Sequence, residues 1–509
     1  MKTLYLLALL AGLVAVTGCE RQAEQAPQQA AIEAPETVSV TKLPITTASD
    51  EARKYYTAGW DAFDMARNNA ANKQFEQAVA ADPSFAIGHL MVALSATSTE
   101  EFASNLAKAA DNAAGASDGE RLLIEAFQKA FASDQQGQLA AGQALTEMHP
   151  DAPRAWQFLA GFQANENDTM GSRKSLGKAL DLDPNSAAAH MQLGNNYMFL
   201  EPKDFDKAET HFRNAADLAP DEPNPHDLLG DVHRAQGNLE AAYTDYSRAD
   251  ELAPELGSAL QQRGHVNSFL GNYDEAREDY TRSAELENAR GSNAGPFFLV
   301  FRAYVSLHEG KPEAAIAELR EIAADADASE MEGKVDLQIN AITNIVLIAT
   351  HFGDAETASA AIADSAALMR QQAEEVGTDE FRSAQEANIT YLEGMLAARN
   401  GDAEGAQAKA DEFKSHVESN TNPRKLERMH EIQGMADFYQ EDYAGAVAHL
   451  SSGDVVNNML IKYHLAIANA NAGNTDEADR LFAELAVWNF NGPGYAMSRG
   501  DILARVSSE

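Results

Sequence analysis

The sequence predicts an all-α, right-handed solenoid of about twelve helix hairpins. Three observations predict it. A pattern of large, small and proline residues recurs about every 34 positions between residues 153 and 288. Six glycines between Gly237 and Gly473 are each followed five residues later by alanine. The chain has 509 residues, too many for one ordinary compact core, and its 45% hydrophobic and 23% charged residues are the balance of a folded, soluble protein.

Residues 1–18, MKTLYLLALLAGLVAVTG, place Lys2 before an apolar run from Leu4 to Val16. That is the layout of a secretory signal, and the run is too short for a comfortable transmembrane helix. It ends in Val16-Thr17-Gly18-Cys19, which resembles the bacterial lipobox. The resemblance implies that Cys19 receives the lipid, and several acyl chains hold a protein far more firmly than one. Glu20 follows where an aspartate would favour inner-membrane retention. The expected location is therefore the outer membrane, facing the periplasm, with the inner membrane as the alternative. Cys19 is the sole cysteine, so no disulfide forms within the chain and no cysteine cage holds a metal. Residues 19–50, rich in Gln, Ala, Pro, Glu and Thr, lack a helical apolar face and read as a lipidated, flexible tether. As a loose coil it spans on the order of 30 Å.

The best-defined repeats follow. Unit 153–186 carries Trp156, Leu159, Ala160, Leu176, Ala179 and Pro184. Unit 187–222 has Leu193, Gly194, Tyr197, Ala208, Phe212, Ala215 and Pro220, with two extra residues in its inter-helix turn. Unit 223–256 has Leu229, Gly230, Ala242, Tyr246, Ala249 and Pro254. Unit 257–290 keeps Gly264, Ala276 and Tyr280 but replaces the proline by Asn288. Residues 52–85 form a further unit with Gly59, Ala71, Phe75, Ala78 and Pro83. The small residue at position 8 lets the two helices of a hairpin approach, and large residues at 4, 7, 11 and 24 fill the space between them. The proline cannot continue a helix and marks the turn into the next unit.

The glycine signature extends the hairpins to about residue 490. Gly237, Gly271, Gly310, Gly353, Gly401 and Gly473 suit the left-handed residue that ends a first helix. Asn238, Asn272, Asp354, Asp402 and Asn474 follow as N-caps of the second helix. Degenerate units fill 86–118, 119–152, 296–329, 339–372, 387–420, 427–459 and 459–492. Residues 289–296 break the rhythm as a joint between an array over 51–290 and a degenerate array over 296–492. Residues 415–424 are a second possible break, and 493–506 are expected to cap the end, with the tail running to 509.

These motifs identify the resemblance: the repeats are similar to those of the tetratricopeptide superfamily, within bacterial lipoproteins. The resemblance implies a protein- or peptide-binding scaffold whose groove is lined by positions 2, 5, 9 and 12 of each first helix. Those places hold Arg154, Gln157, Met191, Asn195, Met198, Asn224, Asp227, Asp231, Arg234, Gln261 and His265. Asn195 matches a groove asparagine that holds a ligand backbone. The family's basic clamp for acidic C-termini is absent, since its places hold Gln157, Gly161, Gln192, Asn224 and Leu228. The mixed apolar and acidic lining implies an extended segment with some positive charge.

The charge agrees. There are 78 carboxylates against 39 Lys and Arg, a formal charge of −39. Loss of Lys2 with the signal takes it to −40. Such an excess argues against nucleic acid, which needs clustered cations.

A search for chemistry returns neither an enzyme nor a cofactor site. Gly115-Ala116-Ser117-Asp118-Gly119 fits the GxSxG pattern but has no strand before it, and Ser117 with Glu120 reads as a capping box. His190, His226 and His233 are better read as core-facing than as metal ligands, and no metal site is assigned. The leading expectation is a membrane-anchored scaffold in the bacterial envelope. The alternative is an envelope protein binding a small molecule or glycan through Tyr55, Tyr56 and Trp60, or Phe297, Phe298 and Phe301.

Overall fold

The structure, a computed structural model, describes residues 43–507. The predicted signal, Cys19 and the tether up to residue 42 lie outside the described residues. Among the described residues are 25 α-helices and no strand, an all-α solenoid. The chain divides into two compact units. The N-terminal unit is the described part of Lys2–Leu229 with Arg248–Ser258; the C-terminal unit is Gly230–Ser247 with the described part of Ala259–Glu509.

The helices run α1 (Asp50–Asp64), α2 (Asn68–Ala81), α3 (Ala86–Leu94), α4 (Thr99–Asn112), α5 (Asp118–Phe131), α6 (Gln135–Met148), α7 (Pro153–Asn165), α8 (Thr169–Leu182), α9 (Ala187–Phe199) and α10 (Phe205–Leu218). Then come α11 (Pro223–Ala235), α12 (Leu239–Leu252), α13 (Ser258–Leu270), α14 (Tyr273–Ala289), α15 (Gly295–His308), α16 (Pro312–Ala328), α17 (Lys334–Phe352) and α18 (Ala355–Val376). The last are α19 (Asp379–Arg399), α20 (Ala403–His416), α21 (Glu427–Tyr439), α22 (Tyr443–Leu450), α23 (Met459–Ala472), α24 (Thr475–Ala486) and α25 (Pro493–Val506). Taken two by two, the first 24 are twelve hairpins, and α25 follows them.

Several hairpins close on a small residue facing a large one. A Cβ added to Gly194 would lie 2.4 Å from the ring of Phe212, and one added to Gly59 would lie 2.4 Å from Phe75. Gly230 meets Tyr246 and Gly264 meets Tyr280 in the same way. Where position 8 is Ala160, its partner is the slimmer Leu176. The helix pair therefore approaches to the thickness of a ring, and only glycine leaves that space.

The turn between the paired helices is equally regular. All six signature glycines have positive φ, from +72° at Gly310 to +86° at Gly473. Their alanines, such as Ala242, Ala315 and Ala406, are fully buried. The amide after the glycine bonds back five residues, as from Asp354 to Ala349 and Asp402 to Ala397. Asp354 and Asp402 cap the next helix, accepting from Thr357 N and Gly405 N, and Asn238 accepts from Ala241 N. Asn272 and Asn474 do not cap. Their side-chain amides instead donate back to Asn267 and Asn469. The same left-handed turn occurs at Ala66, Ser133, Asn167 and Glu441, where no glycine marks it in the sequence.

Successive hairpins are joined by a bond that the spacing did not suggest. The ring at position 4 reaches back six residues to the proline that ends the previous unit. His89 Nε2 lies 3.0 Å from Pro83 O, and Trp156 Nε1 donates to Pro150 O at 2.9 Å. Position 4 thus suits a ring with an N–H, as at His89 and Trp156.

The described residues begin at 43, within the span read as a tether. Leu43 and Ile45 pack on the N-terminal core, Thr46 N and Oγ1 donate to Glu120 at 2.8 and 2.6 Å, and Thr47 donates to Asp82 at 2.6 Å. The division between units falls within α11 and α12, not at 289–296, where α14 and α15 pack directly on each other. Helix α25 matches the expected cap, yet it packs on α15, α17 and α23 as well as on α24. Helix α17 is long and apolar enough to cross a membrane by composition, but it lies packed among α16, α18 and α19.

Candidate functional site

The first helices of each unit carry the residues predicted to line a groove. The structure places them on inner faces, and it buries nearly all of them. Arg154, Gln157, Met191, Met198, Asn224 and Asp227 in the N-terminal unit are at most 6% exposed. Asn195 alone among them is half-buried. In the C-terminal unit Asp231, Arg234, Gln261 and His265 are at most 5% exposed. Apart from Asn195, the chain itself covers these residues.

In the N-terminal unit the covering element is the end of α1 and the turn after it. Arg154 forks onto Asp64, with Nη1 and Nη2 each donating at 2.6 Å. Its guanidinium lies 4.1 Å from the centre of the Trp60 ring. Asn224 Nδ2 donates to Met65 O, and Arg67 pairs with Glu222 at 3.7 Å. Residues 60–67 therefore contact the starts of both α7 and α11, 90 to 159 residues later. A planar fork on a carboxylate fixes both partners in angle as well as distance.

Beside this contact a cavity of about 50 Å³ remains, lined among others by Trp60, Arg154, Met191, Gln192 and Asn195. Arg154 Nε, Gln192 Oε1 and Asn195 Oδ1 border it without a hydrogen-bond partner among the described residues. That is room for a few water molecules, and too little for a sugar or a drug-sized ligand. The aromatic residues of the small-molecule alternative mostly form core. Tyr56 and Trp60 pack with Phe63, Phe75, Phe85 and Phe158, and Phe298 is 2% exposed. Tyr55, Phe297 and Phe301 are half-buried.

In the C-terminal unit the covering element is the segment between α24 and α25. Asn491 Nδ2 lies 3.2 Å from His265 Nδ1 and donates to Tyr280 Oη at 3.2 Å, while its Oδ1 lies 3.0 Å from His308 Nε2. Phe490 faces the Arg234 guanidinium at 5.5 Å, and Arg499 donates to Phe269 O at 3.0 Å. Arg234 and Tyr246 both donate to Asp231 Oδ1 at 2.7 Å. Burial pushes the Asp231 carboxyl up, against the pull of Arg234 and the Tyr246 hydroxyl. Burial holds His265 well below the usual imidazole range, helped by Arg234 and His308, so it is neutral at pH 7. Trp488, Phe490 and Asn491 carried no sequence signal beyond being an aromatic-rich stretch after the last hairpin.

Ser117 is a helix cap. Its hydroxyl donates to Glu120 Oε2 at 2.7 Å and accepts from Glu120 N, and its own amide also bonds that carboxylate. His233 pairs with Asp245 at 2.6 Å. Among the described residues no three His, Cys, Asp or Glu side chains converge on a point that would hold a metal ion.

Comparison with known proteins agrees with the repeats. Tetratricopeptide-repeat family profiles match residues 56–121, 199–256 and 257–290. No curated protein matches the chain. A tetratricopeptide repeat protein from Parabacteroides merdae is 15% identical, covering 55% of this chain and 98% of its own, with a TM-score of 0.37. A crystal structure of MamA protein is 20% identical over 33% of this chain and 92% of its own, with a TM-score of 0.28. MamA from Desulfovibrio magneticus is 20% identical over 34% and 97%, with a TM-score of 0.29. The profile matches show tetratricopeptide repeats over residues 56–121 and 199–290, and the structure repeats one position-8 to position-24 contact at Gly59, Gly194, Gly230 and Gly264.

Proposed function

We propose that this protein is a lipid-anchored scaffold in the envelope of a diderm bacterium, and that it holds protein partners on its outer helix surfaces without catalysing a reaction. The repeats support the scaffold, since tetratricopeptide arrays typically bind proteins and are not catalytic. The signal-like residues 1–18 and the lipobox at Cys19 support the anchor. The observation that carries the reading of the surface is the burial of the inner faces. Arg154, Asn224 and His265 are occupied by the chain's own α1 turn and by Asn491, so a partner meets the outside. That outside carries most of a −39 charge, which favours a partner with a basic face.

Carboxylate-directed crosslinking in the native envelope, followed by mass spectrometry, tests this. The expected result is one or more proteins joined through exposed acids such as Asp274, Glu285 and Asp379. Recovery of no protein above background would sink the scaffold. The anchor has a separate test: Cys19→Ser should release the protein from membranes, and continued association refutes it.

A further inference from the structure

Two histidine pairs occupy the same repeat positions, one in each unit. His190 and His211 stand at positions 4 and 23 of unit 187–222, once its two extra turn residues are discounted; His430 and His449 stand at positions 4 and 23 of unit 427–459. In each pair Nδ1 faces Nδ1, at 3.0 Å and 3.4 Å. The ring centroids are 5.3 and 5.7 Å apart. Subtracting the nitrogen separations leaves about one ring radius on each side, so the rings meet head-on along a line. All four rings are partly open to solvent.

A hydrogen bond between two Nδ1 atoms has one donor and one acceptor, so one ring of each pair carries its proton on the far nitrogen. The Pro184 carbonyl bonds the His190 ring, and the Asp437 carboxylate lies 3.9 Å from His449 Nε2. A proton held on Nε2 leaves Nδ1 as a bare lone pair aimed at the partner. A carbonyl or carboxylate behind an imidazole is also the usual support of a metal-ligating histidine. Burial lowers the pKa of His190, His211 and His430, so these rings are neutral at pH 7.

From the collinear, bare-nitrogen geometry we infer that each pair is a two-coordinate site for a soft monovalent cation of the Cu(I) or Ag(I) type. An ion taking one nitrogen from each side at ~2.0 Å needs roughly 4 Å between them when the three atoms are in line. The pairs open by 1 Å or less to admit it. On binding, the second ring's proton moves from Nδ1 to Nε2 through solvent, which frees its lone pair with no net proton release. Divalent ions are disfavoured. Among the described residues no third histidine or carboxylate converges on either pair, and zinc sites take three or four protein ligands.

The test is titration of the full chain with Ag(I), and with Cu(I) under a mild reductant, counted by native mass spectrometry. The reference is the doubly substituted chain His211→Gln, His449→Gln, whose amides keep a donor towards His190 and His430. Circular dichroism checks that this variant is folded, and the difference in counts removes binding by methionine. The native chain should hold two more Ag(I) ions than the variant, with each single substitution removing one. With Zn(II) at the same concentration the two chains should not differ. A difference of fewer than two Ag(I) ions, or an equal gain with Zn(II), overturns the proposal. If Ag(I) binds and Cu(I) does not, the geometry holds and copper is excluded as the natural ion.

Discussion

At the scale of single residues, the repeats are held by steric rules that sequence states and structure measures. Gly194 leaves no room for a methyl group, because the Phe212 ring already fills the place of its Cβ. Gly194→Ala should therefore destabilise the N-terminal unit by about 1–3 kcal/mol, overpacking outweighing alanine's better helix propensity. A lower denaturation midpoint is the expected reading, and an unchanged one would contradict the contact. The converse holds at Glu441, a non-glycine residue at φ +63° on an exposed turn. Glu441→Gly should raise stability by up to about 1 kcal/mol, since it removes the left-handed strain. A loss of stability in urea unfolding would count against it.

At the scale of elements, the covering contacts matter more than the helices they join. Helix α7 carries Arg154 with both terminal nitrogens on Asp64, and the pair is largely buried. Arg154→Ala leaves the Asp64 carboxylate without its cation and uncovers Trp60. A loss of roughly 3 kcal/mol is expected, with faster hydrogen exchange in residues 60–67. Unchanged exchange there would mean that this contact does not hold the α1 turn in place. Segment 43–49 is held in the same manner by Glu120, which serves at once as capping-box acid of α5 and as acceptor for Thr46.

At the scale of the whole molecule, buried neutral histidines set an acid limit. Burial lowers His464 to about 3, helped by His351 and Arg399, and lowers His351 to about 4, helped by Arg399. In the unfolded chain a histidine titrates near ~6.5. The folded state therefore binds fewer protons between these values. Its advantage is complete above about pH 6.5 and is lost as pH falls towards 4 and 3. The loss from His464 alone is on the order of a few kcal/mol at pH 4. Carboxylate protonation, which relieves self-repulsion, works the other way, so the comparison is differential. Between pH 6.5 and 4 the native Tm should fall more steeply than that of His464→Gln, and parallel slopes would exclude the effect.

Much of this was legible in the sequence because it is local. The glycine-to-alanine spacing, the position-8 small residues, the Ser117–Glu120 box and the count of twelve hairpins each depend on residues within one repeat, and the structure carries all of them. What the sequence alone determined is the hairpin and its stacking, since periodic apolar faces admit little else. Tertiary structure decided the fate of the inner face. Whether Arg154, Asn224 and His265 meet a partner or their own chain depends on contacts 90 to 226 residues apart. No repeat pattern encodes such contacts, because they join segments several hairpins apart within one unit. The residues expected to bind a partner are the ones the fold uses to close on itself.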